Sequence, residues 1–195
     1  MERVNHYEEK RHSDPCYNHR YCSAFVIWVV SGYNALVAKN LAVENAYSNI
    51  QSQLQRRADL IPNVVNTVKG YAAHETAVFN AVNEARTKMM GAQTPADSLA
   101  ADGELTQALG RLFAISEAYP ELKASENFAA LQDELEGSEN RVNTARLDYN
   151  EAVKSLNTKI RSFPSNLIAG MFGFSEKEMF QAQESAQQVP QVNFD

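Results

Sequence analysis

The sequence predicts an all-α protein, an elongated antiparallel up-and-down bundle of long, coiled-coil-like helices. Two long stretches place apolar side chains at alternating intervals of three and four residues, the spacing of one face of a packed helix. Short, turn-rich segments join the helical stretches, so consecutive helices should run antiparallel. No stretch shows the apolar–polar alternation of period two that a half-buried β-strand requires.

The longest predicted helix covers about residues 33–90. Its packed face has sixteen positions, of which thirteen are apolar, aromatic or alanine: Leu36, Asn40, Val43, Tyr47, Ile50, Leu54, Arg57, Ile61, Val64, Val68, Tyr71, Glu75, Val78, Val82, Ala85 and Met89. Pro62 lies within this stretch, and because a proline removes one helical hydrogen bond, we expect a kink near it. The three–four spacing of apolar residues continues unchanged through Pro62. This favours one kinked helix, and the alternative is two helices joined by a tight turn that preserves the spacing.

Three positions on this face are polar: Asn40, Arg57 and Glu75. A polar group on a packed face costs stability and often fixes helix register. Arg57 and Glu75 would lie about 27 Å apart along a straight helix, so they cannot pair with each other. We expect all three to set register or to face solvent at an end, and contact with a ligand or partner is the alternative.

Two more helices are predicted after a turn-rich connector. The first covers residues 98–119 and should be capped by Asp97 or Ser98. The second covers residues 125–162, with Ser125 as its cap. Together with the first helix, they would give a bundle of three main helices.

The C-terminal tail, residues 163–195, begins with a segment rich in large apolar side chains that includes Phe172 and Phe174. We expect this segment to fold back and cover one end of the bundle. The alternative is an exposed apolar patch for a partner or a membrane surface, with the two phenylalanines as candidate interaction residues.

Residues 1–32 combine a polar stretch with a short apolar segment that is a candidate membrane anchor. The charge-free window runs from Tyr21 to Ala38, and its densest apolar part is Cys22–Val30. A membrane-spanning helix needs about 20 mostly apolar residues, and this window is slightly shorter. The segment therefore fits either the start of a membrane-associated helix or an apolar end covered by the bundle or a partner.

Four potential metal ligands lie in the polar N-terminal stretch: His12, Cys16, His19 and Cys22. Their spacing would align them on one helical face, and zinc binds such side chains in a tetrahedral shell. Pro15 interrupts the run, however, and structural zinc sites usually use two close pairs of ligands. We interpret the four residues as incidental to the terminus and assign neither metal nor cofactor.

Composition and motifs exclude several functions. The formal net charge of −6 argues against a nucleic-acid partner, because no basic surplus exists to neutralise phosphates. The sequence has no phosphate-binding glycine loop and no His-Glu-x-x-His zinc motif, and His74 is the only histidine after His19. We therefore expect no enzymatic activity.

Several groups of distinctive residues are spread along the chain from position 33 to its end. They include Tyr33-Asn34, Asn45-Ala46, Leu54–Asn63, Val68–Glu75, Tyr119–Ala124, Asn127-Phe128, Leu135–Arg141, Asp148–Asn150, Asn157, Phe163-Pro164, Phe172–Phe174, Phe180, Pro190, Val192 and Phe194. In this order and spacing they resemble the LemA family of bacterial proteins.

The resemblance implies a long helical bundle, covering residues 33–195, joined to a single N-terminal membrane helix in the bacterial cytoplasmic membrane. The family has no established enzymatic activity, so no catalytic residue is carried over. Members usually have a full apolar span before the Tyr-Asn pair, whereas here only Ala24–Val30 is densely apolar. We expect a membrane-tethered interaction or scaffold protein with an unknown protein partner. The alternative is a soluble helical binding module or stress-response adaptor that holds a small ligand or partner.

Overall fold

The computed structural model describes the backbone of residues 15–180 and the side chains of residues 21–180. This part of the chain contains helices and no strand. The helices are α1 (Pro15–Lys69), α2 (Thr76–Gly91), α3 (Pro95–Ser116), α4 (Pro120–Lys123), α5 (Glu126–Arg161) and α6 (Ser165–Phe172). The predicted all-α bundle is confirmed.

Helices α1 and α5 form the long antiparallel pair of the bundle. Lys39 Nζ donates to Ser155 Oγ at 2.6 Å, and Arg57 Nη2 donates to Glu139 Oε2 at 3.2 Å. Residues with higher numbers on α1 therefore contact residues with lower numbers on α5, as in any antiparallel pair of helices.

Helices α2 and α3 complete the bundle by reversing direction at short connections. Arg86 of α2 bonds back to Ala58 of α1, and Lys88 Nζ pairs with Glu104 Oε2 of α3 at 2.8 Å. The four long helices thus alternate in direction around one core. Its fully buried large side chains include Leu36, Ile50, Ile61, Val64, Val68, Phe79, Val82, Leu105, Leu112, Leu122 and Leu156.

The first helix ends much earlier than the spacing predicts. It stops at Lys69, a turn follows, and α2 folds back along α1, so the prediction of one helix over residues 33–90 is wrong. Gly70 is a poor helix former, and its N–H closes the last turn by bonding to Asn66 O and Thr67 O at 3.3 Å. The apolar spacing is the same on both sides because each helix buries a similar face. The bundle has four long helices instead of three for this reason.

Helix α1 continues through Pro62, as the unbroken spacing predicts. The proline has no N–H to donate to the carbonyl of Ala58, four residues earlier. Arg86 of α2 supplies the missing bond, because its Nε donates to Ala58 O at 2.9 Å. A tertiary contact therefore compensates for the proline.

Helix α3 starts three residues before its predicted start. Thr94 is the cap, and its Oγ1 accepts from the N–H of Asp97 at 3.1 Å. Pro95 follows at the first helical position, where its missing N–H costs nothing. The predicted caps Asp97 and Ser98 are therefore wrong. Ser125 does occupy the cap position of α5, although its side chain makes no capping hydrogen bond.

The chain turns back after α5 in two steps. Helix α6 packs against the N-terminal part of α1, and Gly173 then reverses the chain in the left-handed conformation, with φ of 75°. We call residues 174–180, which follow without regular secondary structure, the return segment. It runs antiparallel along α5.

Candidate functional site

The five candidate positions are spread along the length of the bundle. Arg57 lies in its middle, and Glu75 lies in the turn between α1 and α2 at one end. Phe172 and Phe174 lie at the opposite end. Only these two phenylalanines are brought together, and Asn40 bonds within its own helix, to Glu44 at 2.8 Å.

Arg57 is the centre of a group of charged and polar side chains, partly buried and partly exposed, which we call the central polar cluster. Arg57 is only 2% exposed, and its Nη1 donates to Asp102 Oδ1 at 2.5 Å. Its Nη2 lies 3.2 Å from both Thr106 Oγ1 and Glu139 Oε2. Arg146 Nη2 donates to the second carboxylate oxygen of Asp102 at 2.6 Å.

The central polar cluster joins α1, α3 and α5 at one level. Both oxygens of Asp102 are held by arginines. Among the described side chains, Arg57 Nε is the one buried polar atom without a hydrogen-bond partner. The arrangement supports the register role expected for Arg57.

The sequence analysis missed Asp102, although a signal was present. Asp102 lies three residues after Leu99 and three before Leu105, directly on the apolar face of its helix. A carboxylate there must find a buried partner, because an unpaired buried charge is very costly. Pairing it with Arg57, the one basic residue among the predicted packed positions of the first helix, would have suggested the contact.

At the N-terminal end of the bundle, α1 carries large apolar side chains that are exposed in the described part of the chain. An 18-residue window of this helix is long and apolar enough to cross a membrane, and only 6% of it is buried. The exposed side chains are Tyr21, Phe25, Val26, Ile27, Trp28, Val30 and Tyr33. We call residues 21–33 the apolar extension. A core helix of a soluble protein would instead bury most of such a window.

Helix α6 lies beside the base of the apolar extension. Ile168 packs against Gly32, where a larger residue would require the end of the Ile168 side chain to move. The ring centroids of Phe172 and Phe174 lie 4.8 and 5.8 Å from that of Tyr33. The expectation that the tail covers one end of the bundle is therefore correct for the inner face of α6.

The outer face of α6 is exposed within residues 21–180. Leu167, Met171 and Phe172 are 57%, 71% and 48% exposed, and Phe163, just before the helix, is 80% exposed. The two alternatives for this tail thus hold for its two faces: one closes the bundle and the other presents an apolar patch.

Two asparagines of α5 hold the return segment by its main chain. Asn150 donates to Phe180 O at 2.9 Å and accepts from Phe180 N–H at 2.8 Å. Asn157 makes the same pair of bonds with Lys177, at 2.8 and 3.0 Å. The sequence analysis gave these asparagines no role; their seven-residue spacing, which places them on one helical face, was the available signal.

Charge and ring contacts add to this docking. Arg161 pairs with Glu176, which lowers the pKa of the Glu176 carboxyl and raises that of Arg161. The ring of Phe180 lies 4.8 Å from that of Tyr149. Burial raises the pKa of the Tyr149 hydroxyl, and the nearby Tyr47 and Glu178 raise it further.

Lysines line a groove on the side of the bundle near α6. Lys39, Lys154 and Lys159 surround it, and Lys39 is oriented by its bond to Ser155. The groove also contains Glu151. We call it the lysine groove.

The four potential metal ligands of the N terminus are largely outside the described part of the chain. His12 and the side chains of Cys16 and His19 lie outside it, and Cys22 is exposed. Within residues 21–180, no group of three or more histidine, cysteine, aspartate or glutamate side chains could hold a metal ion.

Comparisons with known proteins connect the geometry to a family. The chain is 29% identical over 184 residues to magnetosome protein MamQ 2 of Paramagnetospirillum magneticum, covering 81% of this chain and 68% of that protein. It is 27% identical to magnetosome protein MamQ of Magnetospirillum gryphiswaldense, over 80% of this chain and 67% of the relative. It is 26% identical to protein LemA of Metamycoplasma hominis, over 82% and 74% of the two chains.

The LemA family model matches residues 46–194, which include α2 to α6 and the part of α1 from Ala46 onward. This match covers the central polar cluster, α6 and both asparagines of α5. Three quarters of the chain thus follow one family pattern, and the protein belongs to the LemA family.

Proposed function

We propose that this protein is a membrane-tethered helical bundle that acts as an interaction or scaffold protein and has no catalytic activity. Its single-pass anchor would be the apolar extension, placed in the bacterial cytoplasmic membrane. The observation that carries the proposal is the exposure of this extension on a helix that continues directly into the bundle.

The energetics favour a membrane around the apolar extension. Leaving a large apolar side chain in water forgoes about 1.5–3 kcal/mol relative to burying it. Phe25, Val26 and Ile27 are each more than half exposed, and so is Val30. The charge-free window from Tyr21 to Ala38 spans about 27 Å as a helix, close to the hydrocarbon thickness of about 30 Å.

The same helix carries the bundle away from its anchor. From Tyr33 to Lys69, α1 extends about 54 Å, so the turn with Tyr71 and Glu75 lies far from the apolar extension. This distant end is available for a protein partner.

Membrane fractionation of cells expressing the full chain tests the anchor. The protein should stay with the membranes through high-salt and alkaline washes and be released by detergent, because its attachment is apolar. Recovery of all of the protein in the soluble fraction would contradict the anchor.

Site-specific photo-crosslinking in cells tests the interaction role. A photoreactive residue at Glu75 or at the neighbouring Tyr71, which is 42% exposed, should give a discrete adduct with one protein. The same group at the exposed Gln51, in the middle of α1, is the matched control. An adduct pattern identical at all positions would argue against a partner at this end.

One cleft supports the second candidate function, a soluble module that binds a small ligand. It lies between the start of α3 and the return segment, and its lining includes Leu99, Tyr149 and Phe180. A ligand held there would raise the melting temperature in a saturable way. That result, together with a soluble chain, would replace the scaffold proposal.

A further inference from the structure

Helix α6 has two faces with opposite properties. Ser165, Ile168 and Ala169 are buried against the bundle. Leu167 and Met171 are well exposed on the other side. Eight residues are too few to make a stable helix in water alone, so α6 depends on the packing of its inner face. Its outer face has no packing partner within the described chain.

The position of α6 along the bundle is informative. Ile168 contacts Gly32, and Phe172 contacts Tyr33, so α6 lies level with the second half of the charge-free window. A membrane that covers this window therefore reaches α6. The densely apolar part of the anchor, Ala24–Val30, is only about 10 Å long as a helix, far below the thickness of the hydrocarbon layer. The second half of the window on α1 is less apolar than the first half. The apolar side chains of α6 lie beside this second half and add to its apolar surface.

The groove beside α6 carries more positive than negative charge, because its lining has three lysines and one glutamate, Glu151. The lysine groove is formed by Lys39, Lys154 and Lys159, and Lys39 lies only six residues beyond Tyr33 on α1. That separation is about 9 Å, comparable to the depth of the headgroup layer. Lysine side chains near a membrane surface attract anionic lipid electrostatically.

We infer that α6 lies in the lipid–water boundary, with Leu167, Met171 and Phe172 inserted among the lipids and the lysine groove facing anionic headgroups. The occupant of the uncovered face is thus a lipid surface. This inference rests on the proposed membrane tether and adds a second contact to it: the bundle stands on the membrane through α6 as well as through α1. A short anchor suffices because the bundle end shares the apolar contact.

Two probes in one protein separate this inference from the tether itself. Trp28, the single tryptophan, reports on the apolar extension. A polarity-sensitive dye attached at Met171→Cys reports on α6, in full-length chain with Cys16→Ser and Cys22→Ser. The protein is reconstituted into vesicles of phosphatidylcholine and phosphatidylglycerol with or without brominated acyl chains, which quench nearby fluorophores. The matched control carries the dye at Leu147→Cys, an equally exposed position (70%) on α5 and farther from α6.

Brominated lipid should quench both Trp28 and the dye at position 171, but leave the dye at position 147 unquenched. Quenching of Trp28 without quenching at position 171 would overturn the inference while leaving the tether intact. Quenching of neither would contradict both. A dye at 171 that is shielded from water yet unquenched would show that a protein, such as a second copy of the chain, covers α6 instead. If the variant at Met171 fails to fold, Leu167→Cys places the dye on the same face.

Discussion

The middle and the N-terminal end of this molecule invert the usual distribution of side chains. In the middle, the charged residues Arg57 and Asp102 are almost fully buried. At the N-terminal end, large apolar side chains such as Ile27 and Met171 are 68% and 71% exposed. In the middle, five linked side chains pair the buried charges with one another, although Arg57 Nε has no partner among the described residues. At the end, the described chain leaves the apolar groups exposed.

This contrast shows where stability and function are to be sought. Changes in the middle should alter folding, because every partner of the central polar cluster belongs to the same chain. Changes at the N-terminal end should alter localisation and leave folding intact, because the side chains there contact little of the bundle. The predictions below test this separation, beginning with the largest expected effect.

Charging the apolar extension should detach the protein without unfolding it. In Ile27→Asp/Val30→Asp, each carboxylate should cost about 3 kcal/mol of insertion free energy, which moves the protein into the soluble fraction. The melting temperature of the bundle should stay the same because both side chains are exposed. Ile27→Leu/Val30→Leu is the matched control and should remain in the membrane. Continued membrane retention of the charged variant would mean that the extension is not the anchor.

Removing the Asp102 carboxylate, which Arg57 and Arg146 share, should give the largest loss of stability in the central polar cluster. Asp102→Ala leaves Arg57 and Arg146 without their common partner, so we expect a loss of about 3–5 kcal/mol in the free energy of unfolding. Urea denaturation followed by circular dichroism measures it. Glu104→Ala, on the same helix, breaks a half-exposed pair with Lys88 and should cost no more than about 1 kcal/mol. Equal losses for both variants would refute the special position of Asp102.

The contact between Arg86 and Ala58 should matter only because of Pro62. Arg86→Met keeps the aliphatic stem and removes the donor, which should cost about 1.5–3 kcal/mol in the wild-type background. In a Pro62→Ala background the new N–H can reach Ala58 O, so the same change should cost clearly less. A double-mutant cycle measures this coupling. Strictly additive effects would show that the arginine does not compensate for the proline.

The smallest effect concerns the return segment at acid pH. Arg161 lowers the pKa of Glu176, so the pair stabilises docking fully above the ordinary glutamate range, and that stabilisation is lost as pH falls through the lowered folded-state value. Amide exchange at Lys177 and Phe180, corrected for intrinsic rates, should therefore show weaker protection near pH 3 than near pH 6. Glu176→Gln is the control and should flatten this dependence. If protection in the wild type is the same near pH 3 and pH 6, the Arg161–Glu176 ion pair does not contribute to the docking of the return segment.

Burial along most of α1 was predictable from the sequence, but the turn between α1 and α2 was not. Leu36, Val43, Ile50 and Val64 are buried as their spacing predicts, because that spacing alone decides which side of a helix faces a core. The turn after Lys69 escaped prediction because the same spacing resumes in α2. Gly70 was the local signal for this turn. The end of a helix is hard to recognise when the apolar spacing continues unchanged into the next helix.

The candidate site was predictable only in part. Arg57 was identified because it interrupts an apolar face, but its partners Asp102 and Arg146 depend on how α3 and α5 align with α1. Phe172 was identified by its size and hydrophobicity. Its contact with Tyr33 is set by the chain reversal after α5, which no local pattern encodes.

The paired bonds of Asn150 and Asn157 have a consequence for how this chain can change during evolution. Two turns of helix separate the asparagines by about 10 Å, and three residues of extended chain cover the same distance. Because the asparagines bond only to main-chain groups, these bonds tolerate any residue but proline at Lys177. They do not tolerate a change in the number of residues between Lys177 and Phe180. Related chains should therefore differ freely in side chain along this stretch, yet show no insertion or deletion within it.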